Sequence, residues 1–483
     1  MLILGIIAAY FLVLIAISYF TGRKDDSDTF FLGNRKSPWY IVAFGMIGAS
    51  LSGVTFVSVP GMVEGNFFSY FQMCLGFTVG YFIIAKVLLP IYYKMNLVSI
   101  YQYLDDRFGV EAYKTGSFFF LISRLIGASF RLFLVASIFQ MFVFDEMGIP
   151  FQVTVAITIL LIWLYTFRSG IKTIIWTDTL QTAFMLLAVI FTFYWMSQSM
   201  GWAGFDFWSE VQSSSYSKVF FLDNFLGDKM HFVKQFVGGI LICLTMTGLD
   251  QDMMQKNLSC KNLKEAQKNM ISFGLVLLIV NFFFLLFGAL LYIYADKYGI
   301  DAIKDDLFPS IALSGNGGFG ISVLFILGLI AAAYSSADSA LTSLTTAFSI
   351  DFLDIQKMSP SKQKTVRKKV HIGFSILLFL VILSYQSINN KDLITDLFVF
   401  AMYTYGPLLA LYFAGMYTKW KLKGKLILLV CLVAPTITYF INLYTSGAIG
   451  FALILVNASI CLVGFKLISI DETEQTGNVE IRN

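Results

Sequence analysis

Runs of about 18 or more apolar residues recur along this chain from end to end, and no soluble globule can bury so many of them. Hydrophobic residues make up 57 % of the 483 positions, charged residues only 13 %, and 50 residues are Phe. An all-α polytopic membrane protein is expected, because helices satisfy every backbone polar group within the lipid. Thirteen segments read as spans, at roughly 2–20, 38–60, 67–93, 115–143, 151–167, 173–197, 233–250, 269–295, 319–350, 371–388, 394–416, 425–442 and 446–466. No basic stretch precedes the first and no small-residue cleavage site follows it, so it reads as a helix rather than a signal peptide.

Most of the 34 Lys and Arg residues fall in alternate connections, among them Lys94, Arg107 and Lys114, then Lys256 to Lys268, Lys357 to Lys369 and Lys419 to Lys425. Short basic loops stay cytoplasmic, so the N-terminus is expected outside and the C-terminus inside the cell membrane. The net charge of +4 reflects this asymmetry and gives no reason to expect nucleic acid as a partner. Five scattered cysteines and two histidines 140 positions apart offer neither a disulfide framework nor a metal or catalytic set. The run Gly315 to Gly320 fits G-x-G-x-x-G but follows an acidic loop rather than a strand, which removes dinucleotide binding. Asn257-Leu-Ser259 is expected in the cytoplasm and Asn457-Ala-Ser459 within a span, so neither is a usable glycosylation site. The two longest connections, 198–231 and 296–319, either cap a vestibule or simply join helices. The polar end, Ile468 to Asn483, reads as disordered. The whole chain, 1–483, is expected to be a single transmembrane domain.

Of the basic residues only Lys86, Arg124 and Arg131 fall inside spans away from their ends. A guanidinium at bilayer depth costs at least ~2.5–3.5 kcal/mol on insertion scales, which makes Arg131 a candidate binding group. The competing reading is an internal salt bridge to Asp178 or Asp338. Arg124, seven residues earlier, is expected to snorkel toward the cytoplasm. The second span carries Gly45, Gly48, Gly53, Pro60 and Gly61 together with Ser50, Ser52, Thr55 and Ser58, a poor continuous helix rich in hydroxyls. Unwound backbone at membrane depth is tolerated where it lines a cavity, and its carbonyls coordinate Na⁺ in transporters; small residues equally serve close helix packing. In the ninth span Ala332, Ser335, Ser336 and Ser339 share one helix face, and Asp338 adds a carboxylate. An alkali cation takes several such oxygens.

The sequence resembles the solute:sodium symporters over nearly its whole length. The likeness runs through Asp28-Thr-Phe-Phe-Leu-Gly-Asn-Arg35, the second span, and Ser169 to Gln181 with its Trp-Thr-Asp. It continues through Asp250-Gln-Asp-Met-Met-Gln-Lys256, Asn262 to Gln267, Ser335-Ser-Ala-Asp-Ser339 and Gly406-Pro-Leu-Leu409. The resemblance implies a LeuT-type core of 5+5 inverted repeats within about thirteen helices, with repeats at 38–200 and 233–416. Residues 1–37 and 425–466 would be peripheral and 467–483 a cytoplasmic tail. It implies Na⁺ as the coupling ion, held by Gly48, Leu51, Ala332, Ser335 and Ser336. Members that move two ions would add Asp178 with Ser335, Ser336, Asp338 and Ser339. For the solute it implies a pocket of Ser50, Ser52, Thr55, Tyr70 and Cys74, with Arg131 where the sialic acid branch grips a carboxylate. Cys74 stands where that branch offers a Gln, so a Na⁺/sugar symporter is the alternative, and a sodium-dependent sensor or channel is a third reading. The competing reading of Asp178 is a cap on the sixth span, with the resemblance favouring the sodium role, and Asp250 and Asp252 read as a solvated cytoplasmic helix end balanced by Lys256. The expected activity is import of a small organic solute with Na⁺ by a functional monomer in a lipid bilayer, not an enzymatic reaction.

Overall fold

The computed structural model describes residues 2–21, 35–166, 170–386 and 393–470. Parts of two resemblance motifs (Asp28 to Asn34, and Ser169), together with tail residues 471–483, lie outside them. Each segment expected to span is helical, and the helices run α1 (Leu2–Thr21), α2 (Trp39–Ser50), α3 (Gly53–Gly61), α4 (Ser69–Ile83), α5 (Gln102–Phe108), α6 (Val110–Phe139), α7 (Phe151–Thr166) and α8 (Gly170–Met200). After the short α9 (Asp206–Ser213) follow α10 (Phe232–Cys243), α11 (Gln251–Leu258), α12 (Leu263–Tyr298), α13 (Gly318–Ala347), α14 (Pro360–Tyr385), α15 (Leu393–Tyr417), α16 (Gly424–Tyr444) and α17 (Leu453–Leu467). Eight helices among the described residues are long and apolar enough to cross a membrane, or ten when two sharply bent pairs each count as one span.

Local chemistry sets the ends. Asn262 caps α12 by accepting from the Glu265 amide at 3.0 Å, and Gly299, at φ 65°, takes the left-handed conformation that closes it. Pro360 opens α14 in the first turn, where its missing N–H is no loss. The bent pairs are the informative elements. Between α2 and α3 the axis turns by 56°, and between α10 with its terminal π turn and α11 it turns by 63°.

The core forms where α8 packs along α13 and α2. Small residues permit this approach. A Cβ on Gly48 would lie 2.1 Å from Thr182 Oγ1 and 3.2 Å from the Asp178 carbonyl. Gly48→Ala is therefore expected to destabilise the protein by about 1–3 kcal/mol through overpacking. A thermal-unfolding curve unchanged from wild type would show that α2 and α8 yield there.

Three expectations need correction. The seventh span does not end in solvent at residue 250. The chain bends there and continues into α11, whose Asp252 and Lys256 are buried, as is Asp250 at the bend, each at or below 1 % exposure. Asn257 is also wholly buried within α11 rather than in a cytoplasmic loop. The polar tail is ordered at its start, where Ser469–Ile470 pairs antiparallel with Lys421–Leu422. Both long connections are docked. Phe308 in the second is buried among the rings of Phe56, Phe287 and Phe325, while Gln72 on α4 holds the first through the Phe221 amide at 3.1 Å and the Met230 carbonyl at 2.9 Å.

Candidate ion and solute sites

The break between α2 and α3 frees backbone oxygens at the centre of the molecule. Leu51 leaves the helix at φ −78°, ψ 67° and Ser52 is extended, so the last carbonyls of α2 lose their intrahelical partners. The Ala49 carbonyl accepts from Ser336 Oγ on α13 at 3.2 Å, and the Ser50 carbonyl accepts from Thr55 Oγ1 at 3.4 Å. Ser335, next to Ser336, donates to Asp178 Oδ1 on α8 at 2.6 Å. Each serine spends its proton on a neighbouring oxygen and keeps its lone pairs for another partner. Ala332, Ser335 and Ser336 are buried at or below 1 % exposure. Broken α2 and the serine face of α13 therefore meet, with Asp178 behind them. Among the described residues no three His, Cys, Asp or Glu side chains cluster as metal ligands. The oxygens gathered here are carbonyls and hydroxyls, the donor set of a monovalent hard cation rather than a transition metal.

Asp178 does not cap the sixth span. It lies turns inside α8, with Oδ2 2.7 Å from Lys256 Nζ. Asp338 accepts from Tyr165 on α7 at 2.9 Å, while its second oxygen and the Ser339 hydroxyl are buried without a partner. Of the five residues proposed around a second ion, Asp178 and Ser335 touch directly. Ser336 turns to α2, and Asp338 turns to α7.

A cavity opens beside the break, lined by Ser50, Ser52 and Thr55 from the break, Tyr70, Phe77 and Tyr81 from α4, Arg124 and Arg131 from α6, Asn281 from α12 and Phe398 from α15. Arg131 is buried at 9 % exposure, its Nε has no partner, and no carboxylate pairs with it among the described residues. The internal salt bridges weighed for it are not formed, because Asp178 holds Lys256 and Asp338 holds Tyr165. Cys74 does not line this cavity. The rings of Tyr70 and Phe77, which line it from α4, meet edge to face at 6.3 Å, and Cys74 is buried at 1 % exposure.

Arg124 does not snorkel. It is buried and forms an ion pair with Asp252 on α11. Beside it Asp250 caps α11 through the Asp252 amide at 2.9 Å and accepts from Tyr405 on α15 at 2.6 Å. Sequence reasoning missed Lys256, the Arg124–Asp252 pair, Tyr165 and Asn281. The usable signal was the density of charge in Asp250-Gln-Asp-Met-Met-Gln-Lys256 immediately after an apolar helix.

Comparison with known proteins gives the family and the fold. A sodium/sialic acid symporter of Aliivibrio fischeri is 24 % identical, covering 95 % of this chain and 92 % of the relative. A second, from Proteus mirabilis, is 23 % identical over 98 % of this chain and 97 % of its own length. A sodium/glucose cotransporter of Vibrio parahaemolyticus is 23 % identical over 76 % of this chain and 71 % of its own length. In structure, a Na⁺-coupled sialic acid symporter in its substrate-bound outward-open state superposes with a TM-score of 0.83 at 18 % identity over 97 % of both chains. Mhp1, a nucleobase-cation-symport-1 transporter, follows at 0.57 and 13 % identity, covering 92 % of this chain and 95 % of its own. The expected LeuT-type helical fold is thus the observed one. A sequence model of the sodium:solute symporter family matches residues 30–427, the greater part of the chain, and the protein belongs to that family.

Proposed function

We propose that the solute this sodium-coupled symporter carries is a carboxylated sugar of the sialic acid type, bound by Arg131 opposite the hydroxyls of Ser50, Ser52 and Thr55 with Tyr70 at its side. The observation that carries this reading is the guanidinium of Arg131, buried at the cavity wall and, among the described residues, in no ion pair with a carboxylate. A guanidinium fork offers two parallel bonds to a carboxylate, and burial strengthens them. The relatives named for sialic acid match nearly the full chain. Cys74 has no part in the pocket. The coupling ion sits on the carbonyls of Gly48, Leu51 and Ala332 with the hydroxyls of Ser335 and Ser336, immediately behind the solute's hydroxyl-bearing wall. Ion and solute then order the same broken segment, which is how binding of one favours the other. In this reading the repeats are 38–200 and 233–416, the helices of 425–466 are peripheral, and the monomer works with its N-terminus outside and its C-terminus in the cytoplasm.

The test is uptake of radiolabelled N-acetylneuraminic acid into proteoliposomes under an imposed Na⁺ gradient. Accumulation that disappears when Na⁺ is replaced by K⁺ is expected. Uptake of a neutral hexose in place of the acid would favour the sugar reading and retire the carboxylate. Ser336→Ala should raise the Na⁺ concentration for half-maximal uptake by tenfold or more, since about 1–3 kcal/mol attaches to one lost buried oxygen partner. Unaltered sodium dependence in that variant would remove Ser336 from the ion site.

A further inference from the structure

Lys256 is one of the largest fully buried side chains of the protein, at 1 % exposure. It stands in the last turn of α11, the inner half of a broken helix, and reaches α8, where Nζ lies 2.7 Å from Asp178 Oδ2. The other oxygen of the same carboxylate receives the Ser335 hydroxyl at 2.6 Å. One turn along α13 from Ser335, Asp338 offers a carboxylate oxygen without a partner, and so does the Ser339 hydroxyl. The Asp178 carboxylate and the Ser335 hydroxyl, which meet across α8 and α13, are surroundings that a monovalent cation takes, and an ammonium is such a cation with three donors of its own. Both oxygens of Asp178 are already engaged, one by positive charge and one by a proton. A Na⁺ placed there would have to displace Lys256 or share a carboxylate with it, at the cost of like-charge repulsion in a medium of low dielectric.

We infer that the Lys256 ammonium is the resident cation of the Asp178 carboxylate beside Ser335, where a second ion would otherwise sit, so that this transporter binds one Na⁺ per cycle and not two. This rests on the sodium reading above and deepens it by fixing the ion count. Lys256 also positions the remaining ion site. Held by Lys256, Asp178 accepts the Ser335 hydrogen bond and leaves the lone pairs of that hydroxyl free for the ion of the conserved site.

The experiment counts ions without solute, so it does not depend on which solute is carried. Binding of radioactive Na⁺ to purified transporter should saturate at one ion per protein for the wild type. Lys256→Met should bind two, because a mobile ion replaces the fixed charge, and Asp178→Asn/Lys256→Met should return to one. Two ions on the wild type would overturn the inference while leaving the sodium reading intact. A folded Lys256→Met that still binds one ion would overturn it as well. No bound ion on the wild type would remove the sodium reading itself and this inference with it. Where the single variant does not yield folded protein, the wild-type count and the charge-neutral double variant decide the matter.

Discussion

Arg131→Lys should lower the apparent affinity for a carboxylated solute by about tenfold to more than a hundredfold while leaving the Na⁺ concentration dependence in place. A charge-assisted hydrogen bond contributes ~1.5–3 kcal/mol, and a lysine ammonium on a flexible stem cannot reproduce the two parallel bonds of a guanidinium. The prediction is sharp because Arg131 has no structural duty to fall back on. It pairs with no carboxylate among the described residues, and its Nε is unpartnered. Removal of the side chain should therefore cost the fold little beyond its packing. Concentration-dependent uptake of N-acetylneuraminic acid by wild type and variant, with thermal unfolding of both as the control, measures the two effects separately. Equal affinity in the two proteins would show that the carboxylate docks elsewhere, and Asn281 or Tyr81 on the opposite walls would then be the groups to examine.

What the sequence revealed and what it concealed divide along a physical line. The helical runs were legible because a helix crossing lipid needs a long apolar run whatever it packs against, although among the described residues only eight to ten of the thirteen are long and apolar enough to cross a membrane. That the second span is a poor continuous helix was legible from its glycines, though not where it breaks, and Gly48 is required by the approach of Thr182 to within contact distance. The serine face of α13 was legible from helical spacing alone. Burial of the second break was not. Asp250, Asp252 and Lys256 look like a solvated helix end, since three charges within seven residues outweigh any hydropathy average. Their partners stand far away in sequence, Asp178 at 78 residues and Arg124 at 128. No local pattern encodes a neutralisation made across that distance. Cys74 failed for a smaller reason. It shares a helix face with Tyr70, Phe77 and Tyr81, and periodicity cannot tell a side chain that lines the cavity from a neighbour that does not.

The Arg124–Asp252 pair should be the most damaging point at which to remove one charge. Asp252 begins α11, and the bend before it is tied down from every side. The Gly248 and Leu249 carbonyls accept from Tyr92 and Tyr101 at 2.9 Å, and Gln251 bridges the Ile100 amide at 2.9 Å and the Val98 carbonyl at 2.8 Å. Tyr412 on α15 donates to the Ile100 carbonyl at 2.8 Å. In the proposed orientation these bonds form the cytoplasmic floor of the cavity, and Arg124 both lines the cavity and pairs with Asp252 at that floor. Breaking a buried ion pair by deleting one partner costs about 3–5 kcal/mol, because the other charge is stranded, whereas replacing both by apolar side chains is often neutral or stabilising. Asp252→Asn should therefore lower the thermal unfolding temperature and release the floor, shifting closed molecules toward the cytoplasm-open form by two orders of magnitude or more. Arg124→Met/Asp252→Leu should recover the unfolding temperature without recovering the closed floor, since packing is restored but the directional contact is not. Labelling of a cysteine introduced at Ser50, in membranes where reagent reaches only the cytoplasmic face, reads the floor directly. If Asp252→Asn and wild type label at the same rate and unfold at the same temperature, the pair is no latch and the hydrogen bonds around Gln251 hold the closure alone.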